Sequence, residues 1–448
     1  MRTSTLLLLV LLAAAACGCS KVHAPGSGTG GDGGTGGDGG GESDAGAPGP
    51  VSVTVLSFDG LRTPVEGAQV AFFEPDGSHR ATVDTDGEGV ATAQLAPGGA
   101  VIAFVSDAPG GVALQTARAV LGVAPGDQIV IGGEPFVGGD FVTSMTITFP
   151  VLTGASDYLV FTPCGTFGSS TNVVGLSFNT GCDVDSFAYL AVATGDSGPS
   201  FIREPDAPVI PEGNYDAQGA WQMTPTRPFR FSQVPDEAGV IDTGVYAVRA
   251  GQHQLEVFLT RDSGPTAQDM LTLRPQRLPN YDGTLTQTLI HAEQPALGHV
   301  AVAHWLGPDD PTDWDLSQLM LPWMGPVVFD ASARQLRWQI VGAGEYDATY
   351  LNLIASVNDG KTFREIRWVI SAPPGIEEIV LPELPDDLSG FYLPDPQNVY
   401  TYGQIVESSQ VDGYPAARQK GFDPTYFPRL EPLGSVTRTS FSGLPGDL

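Results

Sequence analysis

Short apolar runs, many of them alternating with polar residues, recur along the chain from Val51 onward and predict strands. In VSVTVLSF, Val51, Val53 and Val55 hold every second position, so one face of the segment is apolar. Clusters of turn residues punctuate the runs: Glu74-Pro75-Asp76-Gly77, Asp84-Thr85-Asp86-Gly87 and Ala96-Pro97-Gly98-Gly99. Short strands between such turns predict a β-sandwich over residues 51–135. FVTSMTITFP, DYLVFTP, NVVGLSF, FAYLAVAT and YAVRAGQHQLEVFLT predict a second sandwich over 140–262. RQLRWQIV, ATYLNLIASV, FREIRWVIS and EEIVLPEL predict four strands in a C-terminal β-rich segment, 265–448. In the last sixty residues, rich in Pro, Gly and Tyr, strands are expected only at VYTYGQIVESS and SVTRTSF. DPTDWDLSQLMLPW predicts one short helix starting near Asp313. No other helical period is evident, and the expected fold class is all-β.

The N-terminal fifty residues break this pattern. Met1 to Thr5 carries one arginine, and Leu6 to Ala16 is an unbroken apolar run of eleven residues. A bilayer-spanning helix needs roughly 20 residues, so the run predicts an export signal over 1–19. Its end, Ala14-Ala15-Ala16-Cys17, resembles a bacterial lipobox, and Ala16-Cys17-Gly18-Cys19 is similar. The resemblance implies lipidation at Cys17, with Cys19 as the alternative, and each buried methylene of such a chain contributes about 0.8 kcal/mol to membrane attachment. No aspartate follows either cysteine, which leans towards an outer-membrane or cell-surface address. Residues 20–50 form a Gly-rich linker, with GTGGDGGTGGDGGG at its centre. Gly-rich chain of about 25–30 residues spans on the order of 30 Å as a coil, enough to hold a folded body clear of a membrane.

The segment TPVEGAQVAFFEPDGSHRATVDTDGEGVATAQLAPGGAVIAFV resembles the carboxypeptidase regulatory-like family through Pro64, Gly67-Ala68, Val70, Thr85-Asp86-Gly87, Leu95 and Pro97-Gly98. Val90 stands where that family has an aromatic, which brings the segment near invasin-type bacterial Ig-like domains. The resemblance implies a transthyretin-like sandwich outside the cytoplasm, without an active site of its own. MTITFPVLTGASDYLVFT is similar to the B and C strands of fibronectin type III domains. The expected architecture is therefore tandem Ig-like and fibronectin-like sandwiches after a signal peptide and a linker.

Composition narrows the partners. The chain has 448 residues, 42% hydrophobic and 16% charged, and a net charge of −30. Such a surface repels phosphate backbones and anionic lipid, so nucleic acid is excluded as a partner and a membrane is reached only through a lipid anchor. Cys164 and Cys182, with seventeen residues between them, are expected to pair outside the cytoplasm. Closing a loop of that size stabilises by about 3 kcal/mol.

Four groups of residues suggest chemistry. Gly195-Asp196-Ser197-Gly198-Pro199 resembles the nucleophile loop of chymotrypsin-like proteases, but only His23 and His79 lie upstream as a base, and DSGP recurs at 262–265 as a turn would. His291, Glu293, His299 and His304 suggest zinc, but a spacing of five puts His299 and His304 on opposite faces of one strand. Asp309, Asp310, Asp313 and Asp315 are the calcium candidates, with helix capping as the alternative, and the Asp84-x-Asp86-Gly87-x-Gly89 turn lacks the further ligands of a calcium loop. Trp305, Trp314 and Trp323 are the glycan-binding candidates, because aromatics beside carboxylates on a β domain suit sugars. No cofactor and no catalytic residue is expected. The resulting reading is a non-catalytic, surface-anchored lipoprotein for adhesion, glycan contact or envelope structure. A polysaccharide hydrolase and a scaffold for another envelope protein are the alternatives.

Overall fold

The computed structural model describes residues 47–442, apart from 58–62, 108–112, 133–140, 163–164, 180–184, 196–197, 224–227, 249–256, 266–269, 274–282, 295–296, 307–309, 359–362, 394–398, 410 and 422–435. The alternating segment at Val51 is β1 (Gly49–Val55), with its three valines buried and Ser52 and Thr54 partly exposed. It lies between β4 (Val90–Leu95) and β7 (Gln128–Ile131), antiparallel to the first and parallel to the second. The facing layer runs β3 (His79–Asp84), β2 (Gln69–Phe73), β5 (Gly99–Asp107), β6 (Ala113–Val123). The DTDG motif makes the turn into β4: Asp86 Oδ1 accepts the N–H groups of Glu88 and Val90 at 2.9 Å. Gly89 closes it at φ +75°, where a Cβ would stand 2.7 Å from the Val55 carbonyl oxygen.

The facing layer does not stop at β6. It continues through a parallel pairing to β28 (Phe363–Ala372), then to β27 (Ala348–Asn358), β30 (Val399–Ser408), β31 (Val436–Phe441), β21 (His299–Leu306), β20 (Gly283–Ala292), β17 (Ala238–Val248) and β18 (Val257–Pro265). Among the described residues this is one sheet of twelve strands. Strands from all three expected segments share it. Backbone hydrogen bonding is indifferent to side chains, so sequence pattern cannot tell which strand edges will meet.

Both faces of its central part are buried. Phe72, Val101, Val120 and Tyr350 pack towards β1, β4 and β7, while Ala71, Ile102, Ala119 and Leu351 pack into a second core on the other side. That explains why VAFF in β2 and VIAFV in β5 are apolar throughout whereas β1, an outer strand, alternates. The second core is closed by β23 (Trp323–Met324) paired with β26 (Ile340–Val341), by β24 (Val328–Asp330), β25 (Gln335–Arg337) and β29 (Glu378–Val380), and by a 3₁₀ turn over Asp386–Phe391. Gly403 in β30 admits this packing, since a Cβ there would lie 2.4 Å from the Met324 methyl carbon.

Residues 141–223 form two facing sheets. One is β11 (Val173–Asn179), β8 (Phe141–Thr148), β14 (Asn214–Asp216); the other is β10 (Gly165–Ser169), β9 (Asp157–Thr162), β12 (Ser186–Gly195), β13 (Gly198–Pro208), β15 (Gln222–Met223). Tyr189, Ala191 and Ala193 of β12 face the core between these sheets. Leu190 and Val192 face outward into a further core with Phe229, Phe231, Ile241 and Val300. The uninterrupted run FAYLAVAT is thus a strand buried on both sides. Phe229 and Phe231 belong to β16 (Phe229–Ser232), which lies between β19 (Met270–Leu273) and β22 (Asp313–Asp315).

The helix expected near Asp313 is only a 3₁₀ turn, Leu316–Gln318. An α-helix forms instead at α1 (Gly413–Lys420), in the Pro, Gly and Tyr-rich tail. Its hold is tertiary. Arg418 pairs with Asp127 at 2.7 Å, side chains 7% and 10% exposed, and the Tyr414 hydroxyl donates to the carbonyls of Leu121 and Ser371, 2.8 Å from each. Gly421 ends the helix in the left-handed conformation. Among the described residues no helix is long and apolar enough to cross a membrane.

Candidate functional site

Two of the three tryptophan candidates are buried. Trp314 is 7% exposed and Trp323 5%, both in the core beneath β12 and β13. β22 pairs parallel with β16, which sets Trp314 beside Phe231, and its ring lies 5.4 Å from Phe229, 5.5 Å from Phe231 and 4.7 Å from His304. DWD thus buries its middle residue and exposes its two carboxylates. Trp305 pairs with Leu285 through its backbone, and its side chain lies outside the described residues. Cys17, Cys19, Cys164, Cys182, Ser197 and Asp309 also lie outside them.

The described calcium candidates, Asp310, Asp313 and Asp315, each have a different partner. Asp313 pairs with Arg230 at 3.1 Å. Asp315 caps the 3₁₀ turn, accepting from the Ser317 N–H at 3.0 Å and its hydroxyl at 2.7 Å. Asp310 instead acts on His304, opposing the burial that lowers that imidazole to about 4. Among the described residues no three His, Cys, Asp or Glu side chains are placed to hold a metal ion.

Two constellations do assemble. The first lies at one end of the long sheet. A hairpin joins β20 to β21 and sets His291 opposite His299, which in turn pairs with Phe441 of β31. His291 Nε2 is 3.0 Å from Oδ2 of buried Asp242 on β17. The two imidazoles are 5.5 Å apart, and His299 stacks on Phe441 at 4.7 Å. Burial, helped by the neighbouring His291, lowers His299 to about 4, so it is neutral at neutral pH. His304, on the other face of β21, packs against Trp314. A carboxylate holding one imidazole beside a second, neutral one can accept and pass a proton. Here it also ties β17, β20 and β21 together. Asp242 was not visible as a partner in sequence, because it is 49 residues from His291. The antiparallel pairing of β20 with β21 is what aligns the two histidines.

The second constellation joins Asp347, Glu407 and Arg438. Asp347 accepts the Ser408 N–H at 2.7 Å and also the Gly413 N–H. Burial pushes it up to about 6, against those two hydrogen bonds, and the Glu407 charge adds to the rise. Glu407 pairs with Arg438 at 2.7 Å, and Arg438 Nη1 donates to the Gln318 carbonyl at 3.0 Å. Asp347 thereby ties the end of β30 to the turn that enters α1.

No family model and no curated protein matches the chain. Among solved structures it is similar to the Bacillus anthracis TIE protein, at 12% identity over 60% of this chain and 49% of that one, with a TM-score of 0.16. The chain spans about half the length of that protein. It is also similar to BcpA, the major pilin subunit of Bacillus cereus, at 8% identity, 60% and 97% coverage and a TM-score of 0.16. Two B repeat units of the collagen binding protein of Staphylococcus aureus align at 11% identity, 80% and 93% coverage and a TM-score of 0.11. Likenesses this slight carry no argument about function.

Proposed function

We propose that this chain is an exported lipoprotein, anchored through Cys17 or alternatively Cys19, that works at the outer membrane or cell surface by binding rather than catalysis. The 20–50 linker holds the β body off the membrane, and residues 51–135 are its carboxypeptidase regulatory-like module. One observation carries the non-catalytic part: the ionisable groups that the fold gathers are engaged with one another and with backbone. Asp242 holds His291, Asp127 holds Arg418, and Asp347 holds the turn before α1. Such contacts order strands and hold these groups to structural partners. Adhesion, envelope structure and glycan contact all fit this reading, as does a scaffold that binds another envelope protein.

Labelling cells with an alkynyl fatty acid tests the anchor. The wild type is expected to take up label, Cys17→Ser to lose it and Cys19→Ser to keep it; absence of label from the wild type sinks the reading. Polysaccharide hydrolysis is the second reading, favoured by one observation: a carboxyl with a pKa of about 6, Asp347, beside the charge of Glu407. Sugar release by the whole protein, abolished in Asp347→Asn and in Glu407→Gln, would replace binding with catalysis.

A further inference from the structure

One end of the 141–223 unit gathers loops and exposed apolar side chains around a tryptophan. The register brings four connections to that end: Thr148 pairs with Val173 and Asp216, Tyr158 with Ser169 and Ala193, and Ser200 with Ala193 and Met223. Three of them are 149–156, 170–172 and 217–221, reading FPVLTGAS, STN and AQGAW, and the fourth, between β12 and β13, carries Asp196. Those three contain no Asp, Glu, Lys or Arg, in a chain with 51 acidic and 21 basic residues, and the charges that border them, exposed Asp157 and Asp216, are acidic. Apolar side chains are nevertheless left open there: Val151 is 75% exposed and Met223 68%. Among them stands Trp221, partly exposed. Its Nε1 donates to the Pro150 carbonyl at 2.6 Å, and its ring is backed by Phe149 and Tyr158, each 5.8 Å away. The indole is thus fixed from behind, with its one polar atom already engaged.

We propose that this loop end is a binding site for an uncharged polysaccharide, with Trp221 as the stacking platform. A pyranose presents an apolar C–H face and a rim of hydroxyls. The face suits a fixed indole and its apolar neighbours. The rim suits side chains that both donate and accept, and Gln218 and Gln222 are exposed on either side of Trp221. A net charge of −30 disfavours an anionic glycan. Holding the platform rigid before binding lowers the ordering cost on association. The inference rests on the binding reading above and names the ligand of that reading. The site uses the one tryptophan that lies outside the C-terminal segment.

The test uses the whole protein in detergent micelles, retained on insoluble cellulose, chitin, β-1,3-glucan and starch. Retention on at least one is expected. Trp221→Ala is expected to weaken it tenfold or more, Gln222→Ala several-fold, and Trp221→Phe less than Trp221→Ala. Trp221 also packs on Phe149, so the exposed variants Gln218→Ala, Gln222→Ala and Met223→Ser, with unchanged denaturation midpoints, decide the matter if Trp221→Ala does not fold. No retention on any of the four, retention indifferent to all these variants, or binding only to an anionic glycan or to a protein overturns the proposal. Loss of glycan retention with Cys17-dependent labelling intact removes this inference and leaves the anchored lipoprotein standing.

Discussion

One row of residues crosses the long sheet from Phe72 through Val101, Val120, Ser371, Tyr350, Gln404, Phe441 and His299 to His291. All share one face, yet the two ends differ in kind. At the Phe72 end the row is apolar and lies under β1, β4, β7 and α1. At the His291 end it carries two imidazoles, with Asp242 on the next strand. The ladder of backbone hydrogen bonds is the same at both. Area removed from water, together with the polar docking of α1 through Arg418 and Tyr414, secures the first end, and specific polar contacts secure the second. The first should therefore respond to truncation and the second to pH.

Four predictions sharpen this contrast. The largest effect is expected at the apolar end, where α1 docks. Arg418→Ala leaves Asp127 buried without its partner and should cost about 3–5 kcal/mol in denaturant unfolding. The double variant Arg418→Met with Asp127→Leu should recover most of that loss. A change below about 0.5 kcal/mol for Arg418→Ala would show that the helix does not secure this end.

At the polar end, His291→Ala removes the partner of buried Asp242 and should cost about 1–3 kcal/mol. A thermal melt unchanged within error would mean that the pair is not structural.

The third prediction concerns pH. His299 sits at about 4 in the fold, below the ordinary 6.5, so the unfolded chain binds more protons between those values. Stability should fall as pH drops from about 6.5 to about 4, and His304 adds a loss of the same sign. Asp347 works oppositely: its folded value of about 6 lies above 3.8, so its contribution is present at low pH and lost as pH rises through 6. His299→Phe, which keeps the stack on Phe441, should flatten the acid limb of the stability profile. An acid limb identical to the wild type would exclude His299 as its source.

The smallest effect belongs to the acidic loop. Asp313→Asn loses an exposed pair with Arg230 and should shift stability by about 0–1 kcal/mol. Calcium addition or chelation should leave the melting temperature of wild type and variant unchanged. A calcium-dependent rise would restore the loop as a cation site.

Much of the secondary structure was legible. β1, β8, β9, β27, β28, β30 and β31 lie where period-two runs and turn residues put them. The DTDG motif is the tight turn that its Asp and Gly demand. The site was less legible. Alternation in DWD places Trp314 and its flanking carboxylates on opposite faces, but which face is solvent depends on β22 finding β16. The His291–His299 pairing needed a hairpin, and Asp242 needed a strand 49 residues away. α1 carries little signal of its own because Arg418 and Tyr414 find their partners near residues 121–127.

Local pattern by itself determined that the chain is built of strands, and roughly where each begins and ends, because backbone conformation answers to nearest neighbours and to alternating burial. Only the tertiary structure decided that β6 joins β28, that strands of three segments share one sheet, and that Trp314 is core while Trp221 stays partly open. Strand edges offer the same hydrogen bonds to any partner. Which edges meet is set by how the apolar faces of distant segments stack.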